Sequence, residues 1–299
     1  MECRHGQEID LKNNRPKHSR IVPGKIKRIP ETVTDVEFNC SLLNCCSLKP
    51  KLRSLATNFS MNKTTVSMLT ETWLRKSDKH LKTLLQETAS EHGIEFIRRD
   101  RDSRGGGVSI AYDSNKCCFK KVRAKCLVGK SFEMVAGVGK IHAVKKKHLV
   151  IAAYLPPDYK RKDNQEFMET LISLVAECKA SHPESWLTIG GDWNGRSLQP
   201  VIDAYPELTV TKTGPTRQDM TLDIVLTNYD GFIVNSSADF PLESEANTVS
   251  DHRVVCLEAR LARQKSFSWE IHQYMKVTPE GDDRFKELLK NESLSLIHI

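Results

Sequence analysis

Short apolar segments with strand character recur along most of the chain, and several of them stop at a polar residue. SWLTIGGD, which ends at Asp192, is one example. Longer segments such as DNQEFMETLISLVAECKA have the spacing of amphipathic helices, and Asp163 with Glu166 predicts a capping box at the start of that one. Strands dominate, with helices between them. This pattern favours an α/β (α+β) fold, a four-layer sandwich of two packed mixed β-sheets flanked by helices.

The polar residues at the strand ends form a candidate site. Catalytic side chains are often carried on loops that a rigid sheet holds in place. We therefore expect these residues to share one rim of the fold: Asn44, Glu71, Tyr154, Asp192 with Asn194, Asp223, and Asp251 with His252.

These residue types suit the hydrolysis of a phosphodiester. That reaction needs a hard cation held by carboxylates, a base for the attacking water, and donors to the phosphoryl oxygens. In GGDWNGR, the glycines let the backbone bend, Asp192 can accept a proton, and Asn194 can donate to a phosphate oxygen. Neighbouring side chains of an extended strand point in opposite directions, so we expect Asp251 and His252 to do different jobs. Asp223 is available to orient His252.

Each residue alone also has an ordinary structural explanation. Glu71 fits a solvated loop, Asp192 fits an Asx-type turn, and Tyr154 or His252 fits a packed core position. Only their combination in one chain favours a catalytic site.

The formal net charge is +7, and the basic residues are clustered. Such clusters attract polyanions, although a solvated basic face that only keeps a protein soluble has the same composition. They occur in the N-terminal residues and within 120–125, 145–147 and 160–162.

Cysteine usage and hydropathy predict an intracellular protein. The nine cysteines are an odd number without the paired spacings of a zinc site, which is typical of reduced thiols. No apolar run is long enough to span a bilayer, and the polar start MECRHGQEID is not followed by a signal-peptide core. We expect no membrane partner.

Taken in order, the motifs resemble the endonuclease/exonuclease/phosphatase superfamily, and more closely the apurinic-endonuclease-like domain of non-LTR (LINE-type) retrotransposon polyproteins. The resemblance runs from about Val36 to Leu261. Two departures are Trp193 where the family usually has Phe, and CCSL in place of ARSL after Asn44. The resemblance rests on seven segments: LLNCCSLKPKL, LTETWL, GGGVSIAY, AAYLPP, GGDWNGR, GPTRQDMTLDIVLTN and VSDHRVV.

The resemblance implies roles for the candidate residues. Glu71 would bind Mg²⁺ (Mn²⁺ is possible), with Asn44 and Asp251 in the metal network. Asp192 would position or activate water, Asn194 would contact the scissile phosphate, and Tyr154 would support it. His252, oriented by Asp223, would act on the phosphate oxygens. Thr216 and Arg217 would lie on a substrate-contacting loop.

The resemblance also implies a Mg²⁺-dependent endonuclease that nicks target DNA in the nucleus and leaves a 3′-hydroxyl to prime reverse transcription. DNA would be the partner, with a reverse transcriptase in cis and element RNA as a possible partner. A phosphoinositide phosphatase or sphingomyelinase of the same fold, and a non-catalytic nucleic-acid-binding remnant, are the alternatives.

The expected organisation has three parts. Residues 1–35, which are basic and contain three prolines, are expected to be a flexible arm, and residues 36–262 the catalytic domain. Residues 263–299 are expected to begin a linker towards a missing reverse transcriptase. The last residues, Leu294 to Ile299, resemble a sequencing adapter and are expected to be non-native.

Overall fold

The computed structural model describes residues 27–30, 35–61, 63–77, 80–101, 105–127, 132–142, 144, 146–211, 213–235, 250–263 and 267–270. Two compact units are present: Thr34–Gln264 forms one, and Met1–Val33 with Lys265–Ile299 forms the other. In the latter, strand β1 (Lys27–Pro30) pairs antiparallel with β14 (Phe267–Glu270). Part of the predicted flexible arm is therefore a strand. The rest of the arm and nearly all of the predicted linker lie outside the described residues.

The first sheet of the larger unit has six strands. Their bounds are β2 Val36–Asn44, β3 Thr64–Thr70, β4 Ile94–Arg99, β5 Val108–Asp113, β12 Ile233–Asn235 and β13 Val255–Leu261. They lie in the order β12-β13-β2-β3-β5-β4, and only β2 and β3 run parallel. Helix α1 (Leu52–Met61) makes the crossover between that pair, and α2 (Leu81–His92) leads from β3 to β4.

The second sheet repeats this plan. Its strands are β6 Cys117–Lys121, β7 Glu133–Ile141, β8 Lys147–Tyr154, β9 Trp186–Asp192, β10 Thr209–Val210 and β11 Asp223–Thr227. They lie in the order β10-β11-β9-β8-β7-β6, with β8 and β9 as the parallel pair. Helix α3 (Arg161–Ser181) crosses between them, and α4 (Gln199–Ala204) follows β9.

Helix α3 begins three residues earlier than the predicted capping box implies. Its N-cap is Lys160, and the Asp163 carboxylate accepts the backbone N–H of Lys160 at 3.2 Å. Asp163 is therefore the third helical residue instead of the cap. An acidic side chain at the third helical position accepts the backbone N–H of the N-cap residue. An aspartate near the start of a helix therefore gives a similar sequence pattern whether it is the N-cap or the third helical residue.

The two sheets pack face to face, and helices cover their outer faces. Phe38, Leu42 and Met68 of the first sheet share one core with Val150 and Ala152 of the second. Helices α3 and α4 pack on the second sheet, whereas α1 and α2 pack on the first. The predicted four-layer sandwich of two mixed sheets is confirmed.

The described cysteines are free thiols, in agreement with the predicted absence of a disulfide framework. Among the helices that the structure describes, none combines the length and apolarity needed to cross a membrane.

Candidate active site

The strand topology brings the polar strand ends to one rim. The carboxyl ends of parallel strands meet at the same sheet edge, and each sheet has one such pair. Tyr154 and Asp192 are direct neighbours in the β8–β9 register, and Asp192 lies opposite Asp223 in the β9–β11 register. Each sheet supplies three positions: Asn44, Glu71 and His252 from the first, and Tyr154, Asp192 and Asp223 from the second.

Asn44 joins the two sheets through its carboxamide. Its Nδ2 donates to Glu71 Oε1 at 2.8 Å and to Asp192 Oδ2 at 2.8 Å. Its Oδ1 accepts the backbone N–H of Cys46 at 3.2 Å, and the side chain is fully buried. Both amide hydrogens are therefore used to hold two carboxylates, one from each sheet, at a fixed separation.

Asp192 is buried with other acidic groups nearby. Burial, followed by the charge of Asp223, raises the pKa of the Asp192 carboxyl, although the donors Asn194 and Asn44 partly oppose this. A carboxylate with a raised pKa is suited to accept a proton from water near neutral pH.

Asn194 makes hydrogen bonds through both its backbone and its side chain. Its backbone N–H donates to Asp192 Oδ1 at 3.0 Å, which is the Asx-type turn that the ordinary explanation required. Its Nδ2 donates to the carbonyl of Leu155 at 2.9 Å, and its φ is +46°. The side chain thus braces the loop, and a phosphate contact would have to use the second amide hydrogen. Trp193 between these residues is fully buried and donates to the Ile224 carbonyl at 3.0 Å, as expected for an anchor.

His252 and Asp223 form a buried pair, with His252 Nδ1 at 2.6 Å from Asp223 Oδ2. Burial lowers the pKa of His252, but the hydrogen bond to Asp223 and its charge outweigh burial, so the pKa is raised. The predicted orienting contact is present. Asp223 Oδ1 is buried and has no hydrogen-bond partner within the described residues.

Asp251, next in the chain to His252, faces outward and pairs with Arg217. Arg217 Nη2 is 2.7 Å from Asp251 Oδ2, and the Cys46 thiol lies 3.5 Å from Asp251 Oδ1. Burial opposes ionisation of Asp251, yet the Cys46 hydrogen bond and the Arg217 charge outweigh it and lower the pKa of Asp251. The neighbouring residues do take different positions, as predicted.

Thr216, predicted to lie on a substrate-contacting loop, has side-chain hydrogen bonds to the protein backbone. Its side chain is fully buried, and its Oγ1 accepts the backbone N–H groups of Leu222 and Asp223 at 3.0 Å each. Thr216 therefore fixes the start of β11, and with it the position of Asp223. Arg217, which follows it, has a side chain that is 42% exposed.

Glu71 lies on a strained loop that a glycine-rich segment holds in place. Glu71 and Trp73 have φ values of +48° and +53°, a region that costs non-glycine residues about 1–3 kcal/mol each. The backbone N–H of Trp73 donates to the Gly106 carbonyl at 2.8 Å, and that of Thr72 donates to Gly107 at 3.2 Å. The loop geometry is thus imposed by its neighbours.

Glu133 supports that glycine segment and was missed in the sequence. It is buried, lies opposite Tyr154 in the β7–β8 register, and accepts hydrogen bonds from the Gly107 N–H and from Arg101 Nη1, the latter at 2.8 Å. Burial raises the pKa of Glu133. The only sequence signal was an acidic residue at the start of the apolar segment SFEMVAGVGKI.

The Tyr154 hydroxyl stays protonated at neutral pH, because burial and then the charge of Glu71 raise the pKa of Tyr154 well above its usual range. It can therefore donate a hydrogen bond at the rim, as the prediction requires, although the ring also belongs to the inter-sheet core.

The donor set fits a hard divalent cation near Glu71. The Cys46 thiol lies 3.5 Å from Asp251 Oδ1, and burial followed by the charges of Glu71 and Asp251 raises the pKa of Cys46 to about 12. Carboxylate oxygens are the ligands that Mg²⁺ prefers. Ligand atoms of Asp192, Asp223 and His252 also lie within 4.8 Å of one another. Within that second group, the His252–Asp223 hydrogen bond occupies Nδ1 and Oδ2, whereas Asp223 Oδ1 has no hydrogen-bond partner among the described residues.

No protein-family model and no curated protein sequence matches the chain. Solved structures do match it. An endonuclease/exonuclease/phosphatase family protein from Bacteroides thetaiotaomicron aligns at 12% identity and a TM-score of 0.56, over 77% of this chain and 97% of its own. This chain has the endonuclease/exonuclease/phosphatase superfamily fold.

Two further structures with the superfamily fold carry different activities in their names. The endonuclease domain of TRAS1, a telomere-specific non-LTR retrotransposon, aligns at 15% identity and a TM-score of 0.54, over 76% of this chain and 99% of its own. The 3′-5′ exonuclease NExo from Neisseria meningitidis aligns at 16% identity and 0.53, over 74% and 99%. The superfamily fold therefore does not select a substrate, which has to be argued from the site.

Proposed function

We propose that this protein is a divalent-metal-dependent endonuclease that hydrolyses phosphodiester bonds in DNA. The observation that carries the proposal is the bridge from Asn44 to Glu71 and Asp192, beside the buried His252–Asp223 pair. A cation-binding carboxylate, a proton acceptor and an oriented imidazole are thereby gathered at one rim. These are the parts that attack by water on an anionic phosphorus requires.

Each side chain has a distinct task in this proposal. Glu71, with Asp251 close by, would hold Mg²⁺, which supplies charge neutralisation at the phosphoryl oxygens when bound. Asp192 accepts the proton of the attacking water. His252, held by Asp223, donates to a phosphate oxygen in its protonated form, and neutral Tyr154 donates from the opposite sheet.

We further propose that the enzyme nicks one strand of target DNA and leaves a 3′-hydroxyl that primes reverse transcription of a non-LTR element. The similarity to the TRAS1 endonuclease domain and the ordered retrotransposon-type motifs support this role. A reverse transcriptase in cis, nuclear action and a role for element RNA follow from it as parts of the same proposal. The clustered basic charge supports DNA over a neutral substrate.

A nicking assay on supercoiled plasmid tests the proposal. The wild-type chain should relax the plasmid with Mg²⁺ and not with EDTA. Asp192→Asn and His252→Gln should lose at least about a hundredfold in rate, since each removes a proton-transfer group. Asp203→Asn, an exposed acidic residue on α4, is the matched control and should cut normally.

Three outcomes would reject the proposed site or favour an alternative. Equal relaxation by the wild type and both site variants would reject the proposed site. Hydrolysis of phosphoinositide or sphingomyelin without DNA nicking would favour a phosphoinositide phosphatase or sphingomyelinase. Salt-sensitive DNA binding without metal-dependent cleavage would favour the non-catalytic remnant.

A further inference from the structure

Trp73 is an exposed aromatic side chain at the edge of the proposed site. It is 40% exposed, whereas Trp193 is fully buried and Trp186 packs on Tyr229 with ring centroids 4.8 Å apart. The other large apolar side chains that the structure describes as exposed are Met61, Val210, Met220 and Ile233. Of these, only Trp73 has a side-chain hydrogen bond to a proposed active-site residue, through Nε1 to Glu71 Oε2 at 3.2 Å.

The neighbouring residues hold the backbone of Trp73 in a conformation that exposes its ring. Trp73 has a φ of +53°, which is a rare conformation for a bulky residue. The hydrogen bond from Trp73 N–H to the Gly106 carbonyl fixes the residue, and the next side chain, Leu74, is only 2% exposed. A relaxed backbone at this point would turn the ring elsewhere. Strain of this kind is found where the surrounding structure maintains a functional geometry.

The chemistry of the exposed part of the ring narrows the choice of ligand. The single donor of the indole is already bonded to Glu71, so the exposed surface has no free N–H and offers an aromatic face. The exposed cationic residues Arg75 and Lys76 follow two and three positions later. An aromatic face beside cationic side chains is the combination by which proteins stack a base while neutralising the adjoining phosphates.

We propose that Trp73 stacks on a nucleobase next to the scissile phosphate and so helps to set the sequence preference of cleavage. This rests on the proposed function, because a phosphate bound near Glu71 brings the neighbouring nucleotides to the ring two residues away. The hydrogen bond to Glu71 would couple the stacked base to the cation-binding carboxylate. Trp73 is thus assigned to specificity and positioning, and proton transfer stays with Asp192 and His252.

Binding in EDTA, where no cleavage takes place, tests the stacking separately from the reaction. Fluorescence anisotropy with fluorescein-labelled duplexes of random central sequence would give a Kd for the full chain and its variants. Trp73→Ala should bind about tenfold more weakly, the effect expected for losing one base–aromatic stack. Trp73→Phe should keep most of the affinity because the aromatic face is retained without the Nε1 donor. Met61→Ala, an exposed apolar residue at the end of α1, is the control.

Mapping the nicks on a random DNA pool gives the second readout. Trp73→Ala should lose the base preference at the position next to the nick, and Trp73→Phe should retain it. Equal weakening by Ala and Phe would overturn stacking and leave only the hydrogen bond to Glu71. Wild-type affinity and preference in Trp73→Ala would overturn it as well.

The outcomes distinguish this inference from the proposed function. If the wild-type chain neither binds nor nicks DNA, both fail together. If the wild type nicks DNA and Trp73→Ala behaves identically in both readouts, only the stacking proposal fails.

Discussion

Replacing Asn44 with alanine removes the only carboxamide that contacts Glu71 and Asp192 together among the described residues. A hydrogen bond to a charged group contributes about 1.5–3 kcal/mol to stability. The two hydrogen bonds of Asn44 would together contribute about 3–6 kcal/mol to stability. Glu71 is only half-buried, however, so a water molecule can replace the donor that it loses. Asp192 is 1% exposed, so water cannot replace the donor that it loses. We therefore expect the free energy of unfolding to fall by about 2–4 kcal/mol.

The same change should move the pH dependence of cleavage. Asn44 is one of the donors that lower the pKa of Asp192 against burial and the charge of Asp223. Without it the pKa of Asp192 rises further. In the proposed mechanism Asp192 acts in its ionised form, so activity is lost as pH falls through that pKa, and the acid limb of the profile should move to higher pH.

Urea unfolding and a pH–rate profile of plasmid nicking would measure the two effects. Asn58→Ala, which removes a buried asparagine from α1, is the matched control and should leave the acid limb in place. Unchanged stability together with an unchanged acid limb in Asn44→Ala would refute the proposed bridge.

Three further predictions follow from single contacts. Burial lowers the pKa of His148 to about 3, whereas in the unfolded chain this histidine binds a proton below about pH 6.5. The free energy of unfolding should therefore fall as the pH drops below 6.5, by about 2 kcal/mol at pH 5. Urea titrations of the wild type and His148→Gln at pH 7 and 5 check this, and equal pH slopes would contradict it. In Gly190→Ala, the new Cβ would lie 2.6 Å from the Met68 side chain, so we expect a loss of about 1–3 kcal/mol and slower nicking. Met68→Ala leaves a cavity of its own, so the test is whether Gly190→Ala costs less in a Met68→Ala background than in the wild type. An equal cost in both backgrounds would show that the steric explanation is wrong. Thr216→Val should lose about 1–3 kcal/mol and slow nicking by freeing the start of β11, whereas Thr216→Ser should retain both; equal behaviour of the two variants would show that the hydroxyl is not the cause.

The sequence could predict the position of the site because strand boundaries are local properties. An apolar alternating segment that ends at a polar residue places that residue at a sheet edge, whatever the partner strand is. Asp192 and Tyr154 were placed this way, and they do end adjacent strands. The pairing of His252 with Asp223 was also predicted, since an imidazole of this kind requires a carboxylate and Asp223 was available.

The remaining contacts depend on loop conformation and on sheet packing, which no local pattern encodes. The backbone contacts of Thr216 were not predicted, because a threonine on a turn has the same sequence signal whether its hydroxyl faces substrate or backbone. Glu133 was missed because its partner, the Gly107 N–H, is 26 residues away. The side-chain contact of Asn194 with Leu155 depends on where β8 ends relative to β9, and only the register determines that.

The six groups of the rim are divided equally between the two sheets, and this determines when the site can form during folding. A nuclease that becomes active while still emerging from the ribosome, or after partial unfolding, would damage nucleic acid indiscriminately. Here either sheet alone carries three of the six groups, and the Asn44 bridge exists only after the sheets have docked. In the proposed mechanism, cleavage is therefore conditional on completed folding. An unfinished or partly unfolded chain would lack half of the proposed site.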